Sequence, residues 1–214
     1  MGFQPILLPL TETVPVDAGA VPDDAVAVAV TSANALRHAP KALIAALAAL
    51  PCHAVGKRTA QAAREAGFVS VSEGSGDAEA LADALAASLS GKTIAYLCGR
   101  VRFATFEERL EAAAVHVRAV ETYDTLALDY SDGDIIDRLV GQPVETVLLY
   151  SAKAAVAMQT MIERPKLHDL FDNTRFLALS GRIAAALGGI SSERMQIAKE
   201  PSEEALLALL QEWR

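Results

Sequence analysis

The amino-acid sequence predicts an α/β protein, with two similar parallel-sheet α/β domains joined by a two-stranded hinge and separated by an inter-domain cleft. Three observations carry that expectation. Short branched runs alternate with Ala- and Leu-rich helical stretches, and most runs end at small or turn-forming residues. Three stretches of the first half recur in the second in the same order and at nearly constant spacing. The chain has 214 residues, 52% hydrophobic and 5% aromatic, enough for two small cores.

Taken in order, Val26 to Val30 reads as a buried strand and Thr31-Ser32-Ala33-Asn34-Ala35 as the opening of a helix. The Ala-rich stretch Ala42 to Leu50 is a buried helix, too short to span a bilayer. Ala54 to Thr59 is a strand end running into a helix, and Val69 to Ser72 a strand leading to a helix around Ala80 and Leu81. A strand from Lys92 to Cys98, a helix from Phe103 to Ala114 and a strand from His116 to Thr125 complete the first half. The second half restarts the pattern. Thr146 to Tyr150 with Ser151-Ala152 matches the first strand with Ser32-Ala33, and Ala178 to Ala186 shares four of nine residues with Ala54 to Ala62. Met195 to Ala198 and the helix around Ala205 and Leu206 match the Val69 strand and its helix.

The second half stops without a counterpart of the strand at His116, so Phe3 to Leu10 is expected to supply it. The chain then begins in one domain, crosses to the other and returns, with domain boundaries at 1–13 plus 129–214 and at 14–128. The connecting segments Thr11 to Pro22 and Tyr123 to Ser131 run side by side as the hinge, and a cleft between such domains is the usual place for a ligand.

Composition narrows the partners. A net charge of −8 and a pI near 5.0, with no run of five basic residues, argue against nucleic acid or an anionic membrane surface. The Met-Gly-Phe-Gln-Pro start has neither the basic residues nor the cleavage pattern of a signal peptide. Cys52 and Cys98, in no CxxC, suit a reducing compartment, and the cytoplasm is expected. Nothing in the sequence marks an oligomer interface, so a monomer is expected.

In a parallel sheet the chemistry gathers where strands end and helices begin, because free backbone N–H groups point outward there. Five such turns stand out: Thr31-Ser32-Ala33-Asn34, Gly56-Lys57-Arg58-Thr59, Cys98-Gly99-Arg100-Val101-Arg102, Tyr150-Ser151-Ala152-Lys153 and Ser180-Gly181-Arg182. Each joins small residues to a hydroxyl or a cation, as a site for a multiply anionic small molecule would. Ser, Thr and Asn at these places also serve as helix caps.

Absences exclude several chemistries. There is no GxxxxGK[ST] for a P-loop, no HExxH and no G-x-S-x-G, and Gly74-Ser75-Gly76 does not follow a strand as GxGxxG would but reads as a loop before a capped helix. His38, His53, His116 and His168 lack metal spacing and read as surface or capping residues. Tyr123, in Glu121-Thr122-Tyr123-Asp124-Thr125, ends a strand beside the hinge, either as a structural strand-end tyrosine or as a phenol facing the cleft. A neutral phenol donates a proton or hydrogen bond without repelling an anion.

Those residues resemble the uroporphyrinogen-III synthase family over nearly the whole chain. The resemblance runs through Pro5-Ile6-Leu7-Leu8-Pro9-Leu10-Thr11-Glu12, Val30 to Ala35, Ala54 to Ala60, Tyr96-Leu97-Cys98-Gly99, Val120 to Tyr123, Leu149-Tyr150-Ser151 and Lys199-Glu200-Pro201. It implies cofactor-free cyclisation of hydroxymethylbilane to uroporphyrinogen III, with loss of water and inversion of ring D, in tetrapyrrole biosynthesis. It also implies that Tyr123 is the catalytic residue. Hydroxymethylbilane's eight carboxylates would then lie on Thr31, Ser32, Ala33, Asn34, Gly56, Lys57, Arg58, Gly99, Arg100, Arg102, Ser151, Ala152, Lys153, Ser180, Gly181 and Arg182. Where many members carry Gly-x-Thr-Thr-Ala, this chain has Ser180-Gly181-Arg182-Ile183-Ala184, exchanging two hydroxyls for a guanidinium; Tyr150-Ser151 stands where Thr-Ser is common. A non-catalytic two-domain protein that binds a small polyanion is the alternative.

The repeat and the resemblance agree on one further expectation. The strand and helix from Lys92 to Ala114 have no counterpart ahead of Phe3, which only Met1 and Gly2 precede, and family members begin with an additional strand and helix. The terminal domain is therefore expected to be the less stable, with an uncovered apolar edge or gap.

Overall fold

A computed structural model describes residues 3–20, 22–102 and 104–211. The chain divides into two compact units, residues 13–126 and residues 1–12 with 127–214.

The first unit runs β1 (Thr11–Pro15), β2 (Ala25–Val30), α1 (Ala33–Arg37), α2 (Lys41–Leu47), β3 (Cys52–Ala54), α3 (Lys57–Ala66), β4 (Val71–Glu73), α4 (Ala78–Leu89), β5 (Thr93–Gly99), α5 (Ala104–Ala112) and β6 (His116–Ala127). Phe103, the expected start of α5, lies outside the described residues. The sheet order is β1-β6-β5-β2-β3-β4, parallel from β6 to β4. β1 lies beside β6, with Val16 bonded to Thr122 and Leu10 to Leu128 at the two ends, an antiparallel pairing of the connecting segments.

Alternation along the strands sorts the core onto two faces. Val28, Val30, Ala95 and Leu97 point to a core shared with α1, α2 and α3. Ala27, Ala29, Ile94, Tyr96 and Cys98 point to one shared with α4 and α5. A strand buried on both faces has no polar side to show, which is why β2 is the uninterrupted apolar run Ala25–Val30.

The second unit contains α6 (Asp132–Arg138), β7 (Thr146–Leu149), α7 (Ala152–Ile162), a 3-10 turn at Pro165–Leu167, α8 (His168–Phe171), β8 (Arg175–Ala178), α9 (Gly181–Leu187), β9 (Met195–Ile197) and α10 (Glu203–Ala208). Its parallel sheet has the order β7-β8-β9. Phe176 and Ala178 join the core with α6 to α9, and Leu177 faces Leu206 near the end of α10.

The duplication is written in the hydrogen bonds. Val55 N–H donates to Val30 C=O at 2.9 Å as Leu179 does to Leu149 at 3.0 Å. Gly74 donates to Ala54 at 2.8 Å as Ala198 does to Ala178 at 2.9 Å. Asp77 caps α4 where Ser202 caps α10.

Two expectations need correction. Phe3–Leu10 is not a strand in the structure: Pro5 and Pro9 have no N–H to give a ladder, and the segment is held instead by Arg138 on Leu7 C=O, Tyr130 on Pro9 C=O and burial of Leu10. Gly74-Ser75-Gly76 does follow a strand, β4, but the N–H groups of Gly74 and Gly76 are bonded to the Ala54 and Val55 carbonyls.

Candidate active site

Within the first unit, three of the expected turns lie at the carboxyl ends of neighbouring strands: Thr31–Asn34 after β2, Gly56–Arg58 after β3 and Gly99–Arg102 at the end of β5. Within the second, Ser151–Lys153 follows β7 and Ser180–Arg182 follows β8, again on adjacent strands.

The hydroxyls are largely engaged in holding the turns. Thr31 Oγ1 lies 2.7 Å from the phenol oxygen of Tyr96, a buried tyrosine whose pKa burial pushes up to about 12. Ser32 Oγ accepts the Asn34 N–H at 3.3 Å and Ser151 Oγ the Ala154 N–H at 3.1 Å, the capping that both sequences advertise. A serine oxygen that accepts one bond keeps its own O–H, so both still have a proton to donate outward. Ser180 sits at the N-cap of α9 with no side-chain cap bond, and Gly181 and Arg182 are exposed.

The cations differ. Lys57 and Arg58 are exposed at the start of α3. Arg102 is bound by Glu107 at 2.6 Å and by Glu121 at 2.9 Å, and Arg100 by Glu121 and Asp124, each at 3.4 Å. Three carboxylates thus answer two guanidiniums, so this turn presents no positive excess. Glu121 is distant from the arginines in sequence and only the β5–β6 pairing brings it there, while Glu107 reaches Arg102 from the next helix, α5. At Tyr150, burial first and Glu203 second push the phenol pKa upward, and the hydroxyl bonds that carboxylate at 3.3 Å.

Tyr123 does not end its strand as expected, since β6 continues to Ala127; it stands within β6, beside Gly99 at the carboxyl end of β5. Its ring occupies the room a side chain at 99 would need: a Cβ there would lie 2.7 Å from Tyr123 Cζ. What Gly99 provides is therefore space for the phenol. Arg100 N–H donates to Tyr123 C=O at 2.8 Å and fixes its backbone. The ring of His38 stacks on that of Tyr123. Neither this use of His38 nor the hold of Tyr96 on Thr31 was legible in the sequence, since both contacts join residues distant along the chain and lack any spacing motif.

Among the described residues no helix is long and apolar enough to cross a membrane, and no three His, Cys, Asp or Glu side chains are gathered as a metal site. A duplicated parallel α/β module with hydroxyl-bearing turns at its strand ends is the class that fold and site define. The model of the family described as uroporphyrinogen-III synthase HemD (HEM4) matches residues 1–208, and the chain belongs to that family. Membership makes it an enzyme, a cyclising lyase of porphyrin and haem biosynthesis. Among solved structures, the uroporphyrinogen-III synthetase of Helicobacter pylori is similar at 20% identity and a TM-score of 0.73, over 97% of this chain and 92% of that one. A mutant uroporphyrinogen III synthase of Thermus thermophilus is similar at 20% identity and a TM-score of 0.57, over 99% and 88%. These likenesses bear on the fold. No curated protein sequence matches the chain.

Proposed function

We propose that the chain closes hydroxymethylbilane to uroporphyrinogen III with Tyr123 as its acid. The match across residues 1–208 is the observation that carries the reaction. The linear bilane closes spontaneously to the uninverted isomer, so the protein's task is to impose geometry on a flexible chain. In the proposed step the Tyr123 phenol gives a proton to the departing hydroxyl of ring A, which leaves as water. The azafulvene so formed is attacked by the substituted carbon of ring D to make a spiro intermediate. The position of Tyr123 beside the carboxyl end of β5, with its backbone fixed and its ring seated on Gly99, supports this role.

Carboxylates of the substrate are assigned to the strand-end turns: Thr31 to Asn34, Gly56 to Arg58 and Gly99 to Arg102 in one unit, Ser151 to Lys153 and Ser180 to Arg182 in the other. An acidic protein holds a polyanion through oriented backbone N–H groups, each contributing about 0.3–1 kcal/mol, and through local cations such as Lys57, Arg58 and Arg182. Where Arg100 and Arg102 already meet Glu107, Glu121 and Asp124, the gain from a further carboxylate is small. No cofactor enters this scheme. We place the protein in the cytoplasm as a monomer that binds neither nucleic acid nor membrane, supported by the charge of −8 and two free buried cysteines.

Incubation with enzymatically generated hydroxymethylbilane and separation of isomers I and III tests the reading; formation of isomer I alone rejects it. Tyr123→Phe is expected to lower turnover by about 100-fold or more and to raise the share of isomer I. A variant with nearly full rate and unchanged isomer ratio removes Tyr123 from the mechanism.

A further inference from the structure

The phenol oxygen of Tyr123 meets no hydrogen-bond partner among the described residues, so what aims it is the packing of its ring. That packing depends on a bulge. β5 and β6 pair Cys98 with Glu121 and Gly99 with Tyr123, which leaves Thr122 as an additional residue. A bulge breaks the alternation of side chains. Glu121 lies with Arg102 and Glu107 on the α5 side, whereas Thr122 and Tyr123 both lie on the α1 side. Buried Thr122 donates to Ala35 C=O in α1 at 2.7 Å, and Tyr123 packs on the core beneath the same helix.

His38 ends α1, half-buried, with its ring centroid 5.9 Å from that of Tyr123 and the planes 27° apart. Its Nε2 lies 2.9 Å from Thr13 Oγ1 on β1. Three elements therefore bound one phenol: β5 through Gly99, the α1 terminus through His38, and β1 through the bond that fixes the imidazole. We propose that His38, clamped by Thr13, is the positioning residue of Tyr123, holding the phenol in the place from which it transfers its proton. The inference rests on the role given to Tyr123 above. His38 touches no reacting atom in this scheme; it acts through the ring it stacks on.

Ring-labelled tyrosine separates the two ideas, because the chain has four tyrosines and the Tyr123 signal is the one lost in Tyr123→Phe. In the substrate-free protein, His38→Ala is expected to move the Tyr123 ring signal and leave the other three in place. With substrate it lowers kcat by about tenfold at unchanged KM and lowers the share of isomer III, since misplacing a catalytic group by an ångström costs up to about 100-fold. His38→Phe keeps a stacked ring and restores most of kcat, and Thr13→Val gives a smaller loss than His38→Ala. An unmoved Tyr123 signal overturns the inference, as does a His38→Phe enzyme as slow as His38→Ala. A moved signal with impaired Tyr123→Phe but wild-type turnover in His38→Ala overturns it alone. Wild-type turnover in both variants overturns the role of Tyr123 and the inference with it.

Discussion

β2 and β7 hold equivalent places in the repeat, each leading into a serine-capped helix, yet Ala27 to Val30 are exposed by 2% or less while β7 is buried only at Leu149. The difference lies in the neighbours. β2 has β3 on one side and β5 on the other, whereas β7 has β8 on one side and, among the described residues, no strand on the other. An apolar run specifies a place in a sheet, but its burial is supplied by what lies beside it and above it. The same unit leaves Phe3, Ile6 and Leu7 exposed at 42%, 46% and 81%, apolar surface that stabilises nothing. Opening of the terminal unit before the inserted one is the expected result.

Paired truncations test this most strongly. Leu97 in β5 is fully buried, and Leu97→Ala is expected to cost about 2–5 kcal/mol through lost transfer energy and a residual cavity. Leu148 in β7 is only partly buried, so Leu148→Ala should cost less than about 2 kcal/mol. Equal losses in denaturant melts would erase the contrast between the halves.

Alkaline pH should narrow the gap from the other direction. Burial pushes Cys52, Cys98 and Tyr96 up to about 12 each, and all three lie in the unit of residues 13–126. Their ordinary values are 9.0 for the thiols and 10.0 for the phenol, so the folded unit retains protons that the unfolded chain releases. The stabilisation is complete below pH 9 and lost as pH climbs toward 12. Each group contributes up to about 1.4 kcal/mol per pH unit within its window. Amide exchange on β2 and β7 at stepped pH reads the outcome, and a gap that stays constant above pH 9 contradicts the burial of these groups.

Caps give the smallest effects. Ser32→Ala and Ser151→Ala each remove a bond to a helix N–H and should cost about 1 kcal/mol in thermal melts. Ser180→Ala removes no cap bond and should leave stability within about 0.5 kcal/mol of the parent. A large loss there would mean that the Ser180 hydroxyl caps α9 as Ser151 caps α7.

Much of this was legible in the residues. The runs at Val26 and Thr146, the serines at 32 and 151 and the matched segments at Ala54 and Ala178 announce strands, caps and duplication, because each is a local preference printed in side-chain chemistry. Other features were not. Phe3–Leu10 is apolar enough for a strand, but its two prolines decide otherwise. Arg100 and Arg102 read as free cations until β6 and α5 bring carboxylates to them. Histidine 38 read as a capping residue, and it does end α1, but its ring also faces a tyrosine from another strand.

By itself the sequence determined the α/β class, the repeat, the family and the strand-end turns, all of which follow from periodicity, capping residues and short motifs. Tertiary structure alone decided which cations are already paired, and how much of each sheet is covered. It also set the side of the sheet on which Tyr123 stands. One additional residue in a ladder reverses the alternation that sequence reading depends on, and no property of Thr122 or its neighbours reveals the bulge until β5 lies beside β6.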